Sequence, residues 1–578
     1  MPLVTIMASI STPLSFLSTT TNVSAATSSF PLQTKRHRYP KSKRHISRVS
    51  CNGGDDNIIS KGNRRDVLIG LGGLGAAASF TYNPFAVANP VVTDQNSCGR
   101  PNLPAGAKPI PCCPPKATNI SDFVFPSNQP LRVRKPAHLV TGDELAKYKE
   151  AIRLMRALPD DDPRSFTQQA NIHCAYCHDS YALDSTLPPQ VKVHFNWLFA
   201  PFHRWYLYFY ERILGSLIKD PTFALPFWNW DHPDGMDIPA IFTDRRSSLF
   251  DAKRNANHQP PVLVDLDWNR RGVDTSGEVE KNYAKVYKCI ADVKGPACFF
   301  GSSFQAGGGV SSAAGSLETL HNTCHSWTGD PTDPNGEDMG SFYSSGRDPI
   351  FYCHHSNVDR LWTIWKEKFG GVDLSDTDYL KSSFLFYDEN KNLVRVTSEQ
   401  CLDQSKLRYT YMDVPIPWQN AKPKPATNKA QRAALTPTPL NPPNLPLVLN
   451  SITSFAVKRQ FKSRSKEEKA EREESLVFEV AFDKSKDVKF DVLVFWKGDP
   501  TQATPKDREF AGSFVNVSHA PNAKDTTAKF IIGITDLLDD LEADDEDNVE
   551  VTLVPQYGVV PVTINNAYVS YDECSFKT

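Results

Sequence analysis

A Pro-rich stretch divides this chain into two parts with different hydrophobic periods. Residues 420–446 are rich in Pro, Lys, Ala and Thr, so this stretch can neither pack a core nor form regular strand ladders. Before it, apolar residues recur at helical spacing, and after it, short β-branched and aromatic runs alternate with a period of two. The sequence therefore predicts a mainly α domain at 89–418, a linker at 419–450 and an all-β sandwich domain at 451–578.

The predicted elements follow these two periods. The helical period indicates core helices at 144–158, 193–217, 317–327 and 348–369. The alternating runs indicate strands at 476–482, 488–496, 514–518, 529–534, 549–554 and 562–571. Residues 89–136 are rich in Pro and Cys and have no helical period, so we expect an irregular arm there.

Composition excludes several classes of protein. With 40% hydrophobic and 11% aromatic residues, the chain is typical of neither a disordered nor a fibrous protein. Its formal net charge of −2 gives no support for a nucleic-acid partner. No run reaches the ~18 consecutive apolar residues that a membrane-spanning helix needs, so we expect no membrane span.

The first 88 residues have the features of two targeting signals in series. Residues 1–50 contain 17 Ser and Thr, seven Lys and Arg and no acidic residue, which is typical of an organelle transit peptide. Arg64 and Arg65 then precede a Gly-rich apolar run at 67–80, and Ala86-Val87-Ala88 follows at a cleavage-like spacing. A chloroplast transit peptide followed by a twin-arginine signal predicts delivery to the thylakoid lumen.

Two histidines stand four residues apart in one predicted helix. His321 and His325 lie on one face of that helix, where such a pair can chelate a metal ion. The same spacing also arises by coincidence on helix surfaces. His355 favours the metal interpretation, because it lies in an apolar, aromatic helix where an imidazole needs a polar partner. Asp359, one turn further on, is expected to order the site.

A second group of histidines lies upstream. His173, His194 and His203 fall in or beside the most aromatic part of the chain. On a straight helix, residues as far apart as His194 and His203 would point about 180° away from each other. They converge only if Pro201 bends the helix or if His194 precedes it. Two sets of three imidazoles suit copper, but this ligand type is also compatible with Zn, Fe or Ni.

The segments that carry these histidines resemble those of one protein family. Residues 173–177, 194–211, 321–330 and 348–362 are similar to motifs of plant polyphenol oxidases, the catechol oxidase and tyrosinase family of coupled dicopper proteins. The resemblance continues at 384–389, 409–411 and 489–492, and it covers essentially the whole chain. It implies a mainly α catalytic domain whose core helix bundle holds a dicopper site, followed by a C-terminal all-β sandwich domain.

The resemblance also implies a ligand set of six histidines. It assigns the first copper to His173, His194 and His203, and the second copper to His321, His325 and His355. His354 is then a neighbour of the site, because adjacent histidines on a helix point about 100° apart. Cys177 occupies the family position that forms a thioether, here with His194.

The same resemblance implies two disulfides in the N-terminal arm. It pairs Cys98 with Cys113 and Cys112 with Cys174, which an oxidising lumen permits. The remaining cysteines are expected to be buried thiols.

Two further residues match family positions near the second copper, and a third, Glu318, stands one residue away from the family position. Phe342 matches the aromatic residue that stands over this copper and limits substrate entry. Asn322 follows His321 at a position where members that hydroxylate monophenols often carry a water-holding amide. The family places the partner glutamate four residues before the first ligand, where this chain has Leu317, and Glu318 is one residue nearer.

The activity implied by the resemblance is the oxidation of o-diphenols (catechols) to o-quinones with O₂, and o-hydroxylation of monophenols is a harder additional reaction. The expected partners are a small phenolic substrate and O₂, with two copper ions as cofactor. The alternatives are a dicopper protein that binds oxygen without turnover and a zinc-dependent hydrolase. A domain tethered by a flexible linker can also cover the site, so we expect latency until the C-terminal domain is removed.

Overall fold

The computed structural model describes residues 89–182, 191–270, 277–307, 314–435, 440–518, 526–559 and 561–571. The targeting signals predicted at 1–88 lie outside the described residues. None of the helices in this part of the chain combines the length and the hydropathy that crossing a membrane requires.

The helices concentrate in the first part of the chain, and most strands lie in the last. The helices are α1 (Gly142–Ala157), α2 (Phe166–Cys177), α3 (Phe199–Leu217), α4 (Glu278–Val286), α5 (Pro296–Phe300), α6 (Ser316–Thr328), α7 (Ile350–Lys368), α8 (Thr377–Lys381), α9 (Ser398–Cys401), α10 (Lys429–Leu435), α11 (Lys466–Glu471) and α12 (Thr535–Asp540). The strands are β1 (Ile120–Asp122), β2 (Arg132–Arg134), β3 (Ser383–Tyr387), β4 (Leu393–Thr397), β5 (Tyr409–Tyr411), β6 (Leu447–Val448), β7 (Thr453–Lys458), β8 (Ser475–Phe482), β9 (Val488–Val494), β10 (Phe510–Asn516), β11 (Thr526–Gly533), β12 (Asn548–Tyr557) and β13 (Thr563–Ser570).

Helices α1, α2, α3, α6 and α7 form the centre of the helical part. Helix α3 packs against α1 and α7, and α7 packs against α6. Their apolar side chains belong to one continuous buried cluster, rich in Trp, Tyr and Phe. Two small sheets, β1-β4-β3 and β2-β5, lie beside these helices.

The C-terminal part contains two four-stranded sheets. Their strand orders are β10-β9-β12-β7 and β11-β8-β13-β6. Inward side chains of both sheets, such as Phe478 and Phe490, form a second buried cluster that is separate from the helical one. This arrangement is a β-sandwich, in which two sheets bury their apolar faces against each other.

The helix predicted to begin at residue 193 begins at Phe199 instead. Phe195 has a left-handed backbone with φ of 61°, which a helix does not accommodate. The side chain of Asn196 then accepts a hydrogen bond from the Leu198 amide at 2.9 Å, in the manner of a turn. His194 therefore precedes the helix, which is one of the two arrangements that let it meet His203.

Several elements were not predicted from periodicity, and part of the predicted linker is folded. Helices α2 and α4 and strand β7 are among these additional elements. Within the linker, α10 is helical, and the amides of Ala426 and Thr427 donate to the Glu509 carboxylate at 2.9 and 3.1 Å. Proline prevents strand ladders in this segment, but its remaining amides can still bind a carboxylate.

The N-terminal arm is attached to the helices by disulfides. Cys98 is bonded to Cys113, and Cys112 is bonded to Cys174 on α2. Among the described residues, five cysteines are free and buried: Cys177, Cys289, Cys324, Cys353 and Cys401. Cys298 was expected to be a thiol, but it is disulfide-bonded, a pairing in the folded chain that local sequence does not indicate.

Candidate metal centre

Helices α2, α3, α6 and α7 bring six histidines to one place in the core. Helix α2 carries His173, α3 carries His203, and His194 lies on the turn before α3. Helix α6 carries His321 and His325, and α7 carries His355. Each of the six is at most 4% exposed, so solvent does not compete for their ring nitrogens.

The ring nitrogens converge within each group of three. In the first group, the Nε2 atoms of His173 and His194 are 3.2 Å apart, and the ring centroids of His194 and His203 are 5.1 Å apart. In the second group, His355 Nε2 lies 3.1 Å from His321 Nε2 and 3.3 Å from His325 Nε2. Two imidazoles that bind one ion at about 2.0 Å place their nitrogens about 3 Å apart, which matches these separations.

The two groups face each other across a short gap. The rings of His203 and His355 stack with their centroids 4.2 Å apart and an interplanar angle of 18°. Ring nitrogens of His173, His203 and His355 lie within 4.8 Å of one another, although these residues come from both groups. The arrangement therefore suits two ions held close together.

Oxygen atoms anchor the outer nitrogen of five of the six rings. The Nδ1 atom of His173 lies 2.5 Å from the Phe342 carbonyl, that of His203 lies 2.8 Å from the Phe199 carbonyl, and that of His325 lies 2.6 Å from the Met339 carbonyl. His194 Nδ1 lies 2.8 Å from the Glu318 carboxylate, and His321 Nδ1 lies 3.0 Å from the Asn322 side-chain oxygen. Each oxygen accepts the Nδ1 proton, which leaves the Nε2 lone pair directed to the centre.

Burial keeps these imidazoles neutral. It holds the pKa of His173, His321 and His355 well below the ordinary value. It lowers the pKa of His203 to about 3 and that of His325 to about 4. A metal ion binds the neutral ring, so the site needs no deprotonation at neutral pH.

Glu318 is placed at the first group of histidines. Both of its carboxylate oxygens accept the Phe195 amide at 2.8 Å, and one of them pairs with His194 Nδ1. Burial raises the pKa of Glu318 well above its ordinary value. Through its hydrogen bonds with Phe195 and His194, the Glu318 side chain holds the turn on which His194 lies.

Phe342 and Asn322 also lie at the centre. The Phe342 ring is fully buried and stacks on His194, with centroids 4.0 Å apart and an angle of 11°. It lies 5.8 Å from the His325 ring and 6.3 Å from the His321 ring. Asn322 is fully buried and directs its side-chain oxygen to the His321 ring.

Cys177 and His354 complete the surroundings of the two groups. The Cys177 sulfur lies within 4.8 Å of ring nitrogens of His173 and His194, and it is a free thiol in the structure. His354 is a fourth imidazole beside the second group, and its Nδ1 atom accepts the Trp230 Nε1 proton at 3.1 Å. The carbonyl anchors and Trp230 were missed by sequence reasoning, because no local pattern marks them.

The donor set fits copper. Three neutral imidazoles in each group provide the nitrogen ligands that copper accepts, and neither group contains a carboxylate that points to its centre in place of an imidazole. His203 Nε2 is buried without a hydrogen-bond partner among the described residues, as expected of an atom that binds a metal.

Three family models match the chain. The common central domain of tyrosinase matches residues 163–368, which include all six histidines. The polyphenol oxidase middle domain matches residues 373–424, and the chloroplastic polyphenol oxidase C-terminal domain matches residues 445–571.

Curated relatives are similar over most of their length. A chloroplastic polyphenol oxidase of Malus domestica is 47% identical, and the match covers 90% of this chain and 92% of the relative. Polyphenol oxidase A1 of Vicia faba, also named chloroplastic, is 48% identical, and the match covers 97% of this chain and 99% of the relative.

Solved structures of latent enzymes are similar in fold as well. Latent apple tyrosinase aligns with a TM-score of 0.74 and 48% identity, over 78% of this chain and 100% of that one. A latent aurone synthase, also described as a polyphenol oxidase, aligns with a TM-score of 0.78 and 42% identity. The alignment covers 83% of this chain and 99% of that one. The chain belongs to the tyrosinase family of oxidoreductase enzymes, as one of the plant polyphenol oxidases.

Proposed function

We propose that this chain is a dicopper oxidase that converts o-diphenols to o-quinones with O₂. His173, His194 and His203 would hold the first copper, and His321, His325 and His355 the second. The observation that carries this proposal is the pair of histidine groups, whose Nε2 atoms face a common centre from anchored, neutral rings. Two copper ions bound there would supply the redox chemistry with O₂ by which each catechol loses two electrons and two protons.

The surrounding residues orient the ligands and exclude water. The anchors on Nδ1 fix the direction of five rings, so the ligand nitrogens need little reorganisation. A thioether between Cys177 and His194 would fix that ring further. Phe342 offers an aromatic face beside both groups, against which a phenol ring can stack.

We assign Glu318 and Asn322 to positioning roles in catechol oxidation. Glu318 is engaged by the Phe195 amide and by His194, and Asn322 by His321. Through these contacts Glu318 orients the His194 ring and Asn322 orients the His321 ring. Hydroxylation of monophenols would require the same two groups to hold water for the substrate, and we propose it as the weaker activity.

Copper-loaded protein, with the C-terminal domain cut off, is expected to turn catechol into quinone. The measurement is quinone absorbance together with O₂ consumption, at a ratio of two catechols per O₂, which balances the electrons. A protein loaded with zinc is the matched control and is expected to give no quinone, because zinc has no redox chemistry. Reversible O₂ binding without quinone would instead indicate the oxygen-binding alternative, and hydrolysis by the zinc form would indicate a hydrolase.

We further propose that the C-terminal domain keeps the site closed. Val517 follows β10 of this domain, is fully buried and belongs to the apolar cluster of the helical domain, together with Phe342. Strand β10 packs directly against α6, which carries two of the histidines. A domain tethered in this way stays at high effective concentration over the site.

We infer the point at which a cut would release this domain from the contacts on either side of residue 421. Trp418 donates to Asp231 of the helical domain at 2.7 Å. From Lys422 onwards the contacts go to the C-terminal domain, beginning with an ion pair of 2.7 Å between Lys422 and Asp540. The boundary between residues that contact the helical domain and residues that contact the C-terminal domain therefore lies between Ala421 and Lys422.

A protease site inserted between Ala421 and Lys422 is expected to activate the enzyme. After cleavage and separation of the two parts, catechol oxidation should rise by about tenfold or more relative to uncut protein, because tethering no longer favours shielding. The same protease site inserted after Asp161, at an exposed turn, is the control for cleavage itself. An unchanged rate after complete separation would contradict shielding.

The relatives named chloroplastic support a chloroplast location, and we propose the thylakoid lumen as its compartment. The support for the lumen is the twin-arginine segment after the Ser-rich transit segment in residues 1–88.

A further inference from the structure

A closed ring of buried polar groups joins the helical domain to the C-terminal domain. The helical domain contributes Asp267 and Lys285, the latter on α4. The C-terminal domain contributes Lys489 and Asp491 on β9 and Ser513 on β10. All five residues are buried, and Lys489 is 0% exposed. We call these five residues the interdomain ring.

Hydrogen bonds and ion pairs close the ring. Lys489 Nζ lies 3.0 Å from Asp267 Oδ1 and 3.1 Å from Asp491 Oδ1. Lys285 Nζ donates to the same Asp267 oxygen at 2.6 Å and to Ser513 Oγ at 2.9 Å. Ser513 Oγ in turn donates to Asp491 Oδ1 at 2.7 Å. The chain of contacts thus crosses the domain boundary twice and returns to its starting residue.

Neighbouring groups saturate the ring. The Asp267 carbonyl accepts a further bond from Lys489 at 3.1 Å, and the side chain of Asn269 accepts another. Gln556 donates to the second oxygen of Asp491 at 2.6 Å. The pairing lowers the pKa of Asp267 and raises that of Lys489. The charges are therefore fully paired while the two domains are in contact.

Each domain also keeps a balanced pair when the domains separate. Asp267 and Lys285 remain together on the helical domain, and Lys489 and Asp491 remain together on β9. Within the ring, each domain therefore keeps one positive and one negative charge after separation. A buried ion pair that is complete contributes little net affinity, but removing one partner is costly because the other loses its counter-charge.

From this geometry we infer that the interdomain ring specifies the position in which the C-terminal domain docks over the catalytic face. The ring also permits that domain to dissociate, because each part keeps one positive and one negative charge. The inference rests on the proposed shielding of the site. The helical face around Asp267 and Lys285 is accordingly a docking surface whose partner is the domain that presents Lys489 and Asp491.

The test uses the full chain with the protease site between Ala421 and Lys422, cut without denaturant. Dilution of the cut protein followed by analytical ultracentrifugation gives the dissociation constant of the two parts. Lys489→Met and Asp267→Asn are each expected to raise this dissociation constant by at least about 30-fold, because each leaves the ring with one unpaired charge. The double variant, in which positive and negative charges are again equal in number, is expected to bind more tightly than either single variant.

The matched control is Lys294→Met, which removes an interdomain ion pair of 2.5 Å with Asp536 at the exposed edge. It should change the dissociation constant by less than about fivefold. Ser513→Ala keeps all four charges and removes two hydrogen bonds of the ring, those with Lys285 and Asp491. It therefore provides a second measurement if a charge variant unfolds, and a small but measurable rise in the dissociation constant is expected. Dissociation constants equal to that of the parent protein in all three ring variants would overturn the inference.

The readout does not depend on oxidase activity. If the ring variants separate readily but show no gain in catechol oxidation, the proposed shielding is wrong and the docking role remains. If they stay associated, the docking role is wrong whatever the activity.

Discussion

Replacing His355 with Gln is expected to abolish the second copper site, whereas the same change at the adjacent His354 is not. His355 Nε2 lies within 3.3 Å of the Nε2 atoms of both His321 and His325, so it completes that group. His354 instead accepts a proton from Trp230 and stacks on His321 at a centroid distance of 5.0 Å. The two histidines lie on the same helix and are both buried, so they form a matched pair.

The measurements are copper per chain by metal analysis and the rate of catechol oxidation. His355→Gln should lose about half of the bound copper, and its rate should fall by more than the roughly 10- to 100-fold that loss of a ligand's hydrogen-bond partner costs. His354→Gln should keep both coppers and lose roughly tenfold in rate or less. Retention of full copper by His355→Gln, with loss in His354→Gln, would reverse the ligand assignment on α7.

Local periodicity predicted the helix that carries two histidines of the second group, whereas the full ligand group was implied by the family resemblance. His321 and His325 are four residues apart on α6, and the helix that carries them begins and ends within one residue of the prediction. The position of His194 could not be predicted in this way. It depends on the left-handed backbone of Phe195 and on the turn made by Asn196, both of which interrupt an otherwise apolar helical pattern.

The anchors of the rings depend on tertiary structure. The carbonyl oxygens of Phe342 and Met339 accept protons from His173 and His325, and any residue type at either position would provide that oxygen. Residue identity therefore carries no signal for these contacts. Lys489 and Asp267 are likewise far apart in the chain, and only the docking of the two domains brings them together. The β-sandwich was easier to predict, because alternation along each strand is a local property.

A buried ionic network links the histidine helices to the stability of the fold. Asp359 on α7 accepts from Arg204 on α3 at 2.6 Å and from the hydroxyls of Tyr409 and Tyr411, each at 2.5 Å. Arg204 directly follows His203, and Asp359 lies one turn beyond His355. The network therefore ties together the two helices that carry one ligand from each group.

Asp359→Ala is expected to lower the free energy of unfolding of the helical domain by about 3–5 kcal/mol, because it leaves the Arg204 guanidinium buried without a counter-charge. Thermal and urea unfolding, followed by tryptophan fluorescence, measure the change. Glu150→Ala, which removes an exposed pair with Arg153, is the control and should leave the midpoint nearly unchanged. Asp359→Asn keeps an acceptor for the hydroxyls, so a smaller loss than in the Ala variant is expected.

The same network predicts how the stability of the fold changes at low pH. The arginines beside Asp359 and Glu211 hold the pKa of both carboxylates below the ordinary value. A carboxylate with a lowered pKa stabilises the fold fully above its unfolded pKa of about 4, and that stabilisation is lost as pH falls through the folded pKa. The unfolding midpoint should therefore decline below about pH 4, less steeply in Asp359→Ala, which has one such group fewer. Equal slopes in the two proteins would show that Asp359 is not one of the groups that link stability to pH.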